Sequence, residues 1–350
     1  MNVETKEESI TCDLLSRQRT VIMGLAILSV IFFHFTEDCM KYKMYDEGLI
    51  KWYWTYVKSS GVDIFLFLSG LSLYYAMKKN GDVIRFYKRR MVRILIPYAL
   101  VAVPTWLMVC MIIKNEGLRE VIENLIFVTF FTKGTKLFWY IGMILVCYLI
   151  FPLIFVLIEK CNQRVLQWGG CILLCVLITC AAYQLRMTNR ELYKNIEIAV
   201  LRFPPFLLGC VYGRASYEKR HGYWLWGVIA VIGIVMIGPM LERKSTFYDR
   251  YMLAVVIISV FACLAVLLDK LQKENWFVKT VSWFGIHSLE LYLCHISVRR
   301  ILNMKGYPTC YVVNEVVMLA VSIAWAWLLH KVTTDVKWKQ LKATVSSNKI

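Results

Sequence analysis

Long uncharged apolar runs constrain this chain more than any other feature. Leu253 to Leu268 and Val316 to Leu329 carry no charge, and similar runs recur along the whole length. A helix needs roughly 20 mostly apolar residues to cross the hydrocarbon of a bilayer. The bilayer core offers no water to backbone N–H and C=O groups, so each crossing must be a helix. The period-two alternation of a membrane β-barrel is absent. Hydrophobic types make up 59% of the 350 residues, more than the roughly half found in soluble domains.

Ten spans are expected, near Thr20–Thr36, Gly61–Met77, Met91–Ile113, Leu137–Ile158, Val165–Leu185, Ile196–Tyr212, Tyr223–Leu241, Tyr251–Leu268, Trp283–Val298 and Tyr311–Lys331. The short apolar segment Val121–Phe131 is placed at the interface or as a re-entrant piece. The expected fold is all-α, a polytopic transmembrane helical bundle. Residues 1–16 form a polar tail, 17–331 the transmembrane domain and 332–350 a basic tail. The first apolar run reads as a retained signal anchor rather than a cleaved signal peptide.

The formal charge is +17. The basic residues lie in short connections between apolar runs, where charge sets orientation. Nucleic acid is therefore excluded as a partner, and membrane lipids are expected. Lys78, Lys79, Arg85, Lys88, Arg89, Arg90 and Arg93 form the strongest cluster, which is expected in the cytoplasm. It follows the second span, so ten spans put both termini there. Glu37, Asp38, Asp46 and Glu47 balance the lysines of the loop Glu37–Ser60, which suits the outer face. Lys331, Lys337, Lys339 and Lys342 near the C-terminus agree with this orientation.

The 12 cysteines show no paired spacing. Buried cysteine behaves as a small hydrophobe, so neither a disulfide framework nor a zinc site is expected, and no metal is assigned. No GxSxG, Walker, HExxH or GxGxxG motif stands in its required context.

Ionisable groups at membrane depth are costly and mark functional candidates. His34 ends the run AILSVIFFH near the outer end of the first span. It reads either as a general base or as an interfacial histidine bonded to a carbonyl or water. Asp63 stands in SGVDIFLFLSG, which Ser69–Gly70 interrupts. It reads as a helix N-terminal group favoured by the dipole, or as a carboxylate that orients a histidine. The basic cluster reads as topology plus lipid headgroups, or as a grip on phosphate. Arg202 precedes Pro204–Pro205, so its helix is expected to break and the arginine to be partnered. Glu290 lies three residues after His287, on one helical face. His295 lies near the end of the same span. His221 and His330 read as solvated. Trp139, Tyr140 and Tyr148 read as interface belt or packing.

The ordered set AILSVIFFH, GVDIFLFLSG, FYKRRMVRILIPY, FWYIGMILVCYLIFPL and SLELYLCH resembles the family 3 membrane acyltransferases, over about Arg17 to Lys331. The resemblance implies an O-acyltransferase of a bacterial inner membrane. It would move an acyl group, acetyl in the first instance, from cytoplasmic acyl-coenzyme A to a hydroxyl of an extracytoplasmic glycan or lipid-linked sugar. No resident cofactor is implied. His34, Asp63 and Arg93 take the family's motif positions. His34 would deprotonate the acceptor hydroxyl or a relay nucleophile, and Asp63 would fix its tautomer. Arg89, Arg90 and Arg93 would hold the coenzyme A phosphates. Ser69, Trp139, Tyr140, Arg202 and His295 are the substrate-binding candidates. Two departures stand out. Met23 replaces the arginine that usually precedes the histidine, and Arg19, one turn earlier on the same face, is expected to substitute. Gly142 to Cys147 lacks the carboxylate common in the fourth span. Two other readings remain beside the enzyme: a transporter or flippase of a small metabolite or lipid, and a non-catalytic family member.

Overall fold

The computed structural model describes residues 10–44, 48–57, 60–242, 246–271 and 275–347. Asp46, Glu47 and the first nine residues of the N-terminal tail lie outside them. Every regular element among the described residues is helical. Among the described residues, eight helices are long and apolar enough to cross a membrane, and the fold is a polytopic helical bundle.

The principal helices are α1 (Arg19–Lys41), α2 (Ser60–Asn80), α3 (Val83–Trp106), α4 (Trp139–Lys160), α5 (Arg164–Thr188), α6 (Arg190–Val200), α7 (Phe203–Tyr217), α8 (Leu225–Glu242), α9 (Thr246–Lys270), α10 (Trp276–Ile286), α11 (Ser288–Met304) and α12 (Val312–Ser347). A π-helical turn, Leu107–Ile113, extends α3. It follows Pro104, whose missing N–H cannot continue the regular ladder. The segment after it folds as two short helices, Leu118–Leu125 and Val128–Thr132, joined at Phe127 in the left-handed region (φ 64°).

Two expected spans are not single straight helices. The span Trp283–Val298 divides at His287 into α10 and α11. The span Ile196–Tyr212 divides between Val200 and Phe203, as the prolines predict. Proline fits the first turn of a helix because its missing N–H would have no partner there. Gly70 does not interrupt α2, which runs unbroken from Ser60 to Asn80.

That glycine serves packing. Helices in lipid gain nothing from hiding apolar side chains from each other, so close backbone approach at small residues drives association. A Cβ at Gly70 would collide with the Phe206 carbonyl and the Cys210 amide of α7. One at Gly209 would strike the Phe67 carbonyl of α2. The α2–α7 contact is the most extensive in the bundle. A second glycine crossing joins α1 to α10. Gly24 faces the Val281 carbonyl, and Gly285 faces the Thr20 carbonyl and the Gly24 amide.

The start of α1, the start of α3 and the Lys331 end of the apolar part of α12 meet around one cavity. This is the basic end of the bundle. The opposite end carries Asp38 of α1 against Thr309 of the α11–α12 connection.

Candidate active site

Two rungs join α1 to α11. On the first, His34 Nδ1 lies 2.9 Å from His295 Nε2. One turn further along both helices, Arg299 donates to both oxygens of Asp38 at 2.6 and 2.8 Å. Residues four apart share a helix face, so the repeated rung means that α1 and α11 run parallel here. Asp38 also accepts from Asn303 at 2.9 Å and from Thr309, and Arg299 reaches Glu37 at 2.8 Å. The network secures the far end of the histidine pair.

The tautomers follow from the partners. His295 Nδ1 lies 2.7 Å from the Leu291 carbonyl. A carbonyl only accepts, so this nitrogen carries a proton and donates it. In the neutral ring the other nitrogen is then an acceptor. His295 Nε2 therefore accepts from His34 Nδ1, which leaves His34 Nε2 with a free lone pair. His295 is fully buried, whereas His34 is half-buried. The unprotonated nitrogen thus belongs to the more accessible ring.

The basic end holds a cavity of about 540 Å³. Arg19, Arg85, Lys88, Arg89, Arg90 and Arg93 line its mouth. Phe65, Leu68, Ile144, Tyr140, Tyr148 and Tyr292 line its depth, together with Ser69. Arg19 and Met23 both face it, and Arg19 Nη1 donates to Ser72 Oγ at 2.7 Å. Arg90 lies over the rings of Phe86 and Tyr148 at 6.0 and 5.9 Å, which holds its guanidinium in place. Anionic groups at the mouth and an apolar arm behind them fit this division of charge.

Tyr292 joins the cavity to the histidines. Its ring meets Tyr140 at 5.1 Å and His295 at 5.9 Å, both edge-on. The cavity and the histidine pair are thus neighbours across one aromatic wall.

Asp63 stands apart from His34. Its carboxylate is engaged by Arg250 at 3.2 Å and by Arg202 at 3.5 Å, and the group on His34 Nδ1 is His295. Arg202 lies 4.8 Å over the Trp139 ring and donates to the Ile198 carbonyl at 2.8 Å. Of the sequence candidates, the structure brings together Arg19, Ser69, Arg89, Arg90, Arg93 and Tyr140 in the cavity. It joins His34 to His295, and gathers Asp63, Trp139 and Arg202 in a third cluster.

His330 is not simply solvated. Its Nδ1 donates to Glu290 Oε1 at 3.1 Å, and both residues line the cavity. Its ring meets His287 at 4.4 Å, and His287 stacks on Trp283 at 4.1 Å. Glu290 puts a carboxylate in the cavity wall from α11, where the fourth span offers none. This pair was not apparent in the sequence, nor were the places of Tyr292, Arg250 and the Asp38–Arg299 rung. The spacings His34–Asp38 and His295–Arg299 carried the signal for that rung.

A family model described as an acyltransferase domain, of the family 3 type, matches residues 21–331. The chain belongs to the family 3 acyltransferases. No curated protein and no solved structure matches it. A membrane bundle of this family, with one histidine presenting an unprotonated nitrogen, is therefore the frame for its chemistry.

Proposed function

We propose that this membrane acyltransferase moves an acyl group, acetyl in the first instance, from acyl-coenzyme A to a hydroxyl of a glycan or lipid-linked sugar. The reading places the protein in a bacterial cytoplasmic membrane with the basic end in the cytoplasm. The observation that carries it is the wall shared by the basic cavity and the histidine pair.

The donor's phosphates bind at Arg19, Arg89, Arg90 and Arg93, where guanidiniums form paired charged hydrogen bonds. The thioester arm runs down the apolar depth toward Tyr140 and Tyr292. Arg19 and His34 are separated by roughly 22 Å along their helix, at 1.5 Å per residue, so an extended arm is required. The acceptor reaches His34 from the far end. His34 Nε2 removes the hydroxyl proton as the oxygen attacks the thioester carbonyl. His295 accepts from His34 Nδ1–H throughout and holds the ring in the reactive tautomer. Collapse of the tetrahedral intermediate breaks the carbon–sulfur bond and releases the thiolate, which takes the proton from His34 Nε2 to leave as coenzyme A thiol and returns the base to its neutral form.

Purified protein incubated with acetyl-coenzyme A labelled in the acetyl group, with and without glycan acceptors, tests this. Acceptor-dependent transfer that disappears in a folded His34→Ala variant is the expected result. Transfer unchanged by that substitution removes His34 from the mechanism. Absence of turnover with any acyl donor removes the enzyme reading.

A further inference from the structure

The cluster around Asp63 has a guanidinium more than one carboxylate can satisfy. Asp63, in the first turn of α2, has a side chain 1% exposed. It meets Arg202, from the junction of α6 and α7, and Arg250, from the start of α9. A buried charge is costly unless it is paired and hydrogen-bonded. Arg250 touches the carboxylate through Nη2 alone, at 3.2 and 3.3 Å. Its Nε is buried and has no hydrogen-bonding partner among the described residues.

The cluster is reached through Arg250. Its side chain is 15% exposed, against 4% for Arg202. The other end of α9 carries Asp269, which bonds Gln18 beside the start of α1. Arg250 therefore lies toward the far end of the bundle, away from the basic cavity. Arg202 stacks on Trp139, whose ring meets Tyr140, and Tyr140 meets Tyr292, which touches His295. Arg202 and the histidine pair thus stand at the two ends of one row of aromatic rings.

We propose that Arg250, backed by Arg202, binds an oxyanion of the acyl acceptor, either a sugar carboxylate or the phosphate of a lipid-linked sugar. This rests on the acyl-transfer reading above and names the acceptor's chemistry. The guanidinium fork matches both carboxylate and phosphate oxygens. Asp63 acts as a positioning residue that aims both guanidiniums. The acceptor's charge fixes one end of the molecule at Arg250, and its hydroxyl lies toward His34.

Binding and turnover are measured separately. Without donor, detergent-purified protein is titrated with glucuronate, glucose 1-phosphate, inorganic phosphate and glucose, and its unfolding temperature is followed. The anions raise it and glucose does not. In an Arg93→Gln background, which weakens anion binding in the basic cavity, Arg250→Gln abolishes the remaining response, and Arg250→Lys, which keeps the charge without the fork, retains part of it. The part of the response lost in Arg250→Gln names the group: a larger loss for glucuronate identifies a carboxylate, and a larger loss for the phosphates identifies a phosphate. With labelled acetyl-coenzyme A, Arg250→Gln raises the KM of anionic acceptors about tenfold or more, the worth of one charged hydrogen bond. The KM of the donor stays the same. Equal responses to glucose and the anions overturn the proposal, as does an anion response unchanged in Arg250→Gln. Should that variant aggregate, an undiminished anion response in Arg250→Lys overturns it instead. Anion binding that depends on Arg250, without thioester turnover, keeps the site and removes the acyl-transfer reading. Turnover indifferent to acceptor charge does the reverse.

Discussion

His34 and His295 share one hydrogen bond of 2.9 Å between rings that stand 261 residues apart in sequence. Because His295 Nδ1 is committed to the Leu291 carbonyl, the bond has one direction. It leaves a single nitrogen, His34 Nε2, to take a proton. His34→Ala should therefore lower kcat by about 10² to 10⁴, the usual worth of a positioned base, with little change in donor KM. His295→Ala leaves the base but frees its tautomer, and should cost less. In the wild type kcat/KM should rise with pH as His34 gives up its proton, then level off. Steady-state kinetics across pH checks both. A pH limb that persists in His34→Ala assigns the titration to another group.

The basic cavity yields a prediction of the opposite kind. Its cations grip the donor before and during transfer alike, so their loss weakens binding more than chemistry. Arg93→Gln and Arg19→Gln should each raise the KM for acetyl-coenzyme A about tenfold, with kcat nearly constant. Coenzyme A should compete, and dephosphorylated pantetheine should compete poorly. An unchanged KM in Arg19→Gln shows that Arg19 does not replace the arginine missing at Met23.

The Glu290–His330 pair joins α11 to α12 inside the cavity wall. The Glu290 side chain is 6% exposed, and a buried carboxylate deprived of its partner is strongly destabilising. His330→Ala should thus lower the unfolding temperature more than Glu290→Gln, which removes the charge and keeps an oxygen to accept from His330. If Glu290→Gln proves the more damaging in thermal unfolding, the carboxylate has a role beyond holding His330.

The helical bundle was legible because apolar continuity is a local property and the bilayer leaves the backbone few alternatives. The basic mouth was legible for the same reason, since Lys88 to Arg93 are neighbours in sequence. The partners were not. The sequence offered Asp63 as the group that orients His34, yet Asp63 faces Arg202 and Arg250, because α7 and α9 pack where it points. His295 stood in a recognisable motif, but its link to His34 depends on α1 and α11 lying parallel. His330 looked like a helix-end residue, and only the packing of α12 on α11 gives it Glu290. Gly70 looked like an interruption because its use lies in another helix.

The packing role of the glycines can be tested by adding single carbons. At Gly285 and Gly209 a Cβ has no room, since backbone atoms of α1 and α2 occupy its position, and backbone cannot move aside as a side-chain tip can. Gly285→Ala and Gly209→Ala must therefore push two helices apart. Over-packing of this kind costs about 1–3 kcal/mol, and both variants should unfold at lower temperature and elute partly aggregated. At Gly227 nothing lies within 4 Å of the added carbon. Gly227→Ala keeps the helix and gains propensity, so it should be as stable as the wild type or more so. Because Gly285 holds α10 against α1 just before His287 and α11, its loss should also reduce acyl transfer at temperatures where the protein remains folded. Gly209 lies farther from the histidine pair in the chain and should affect stability more than rate. Equal stability of all three variants would show that the glycine crossings do not hold the bundle together.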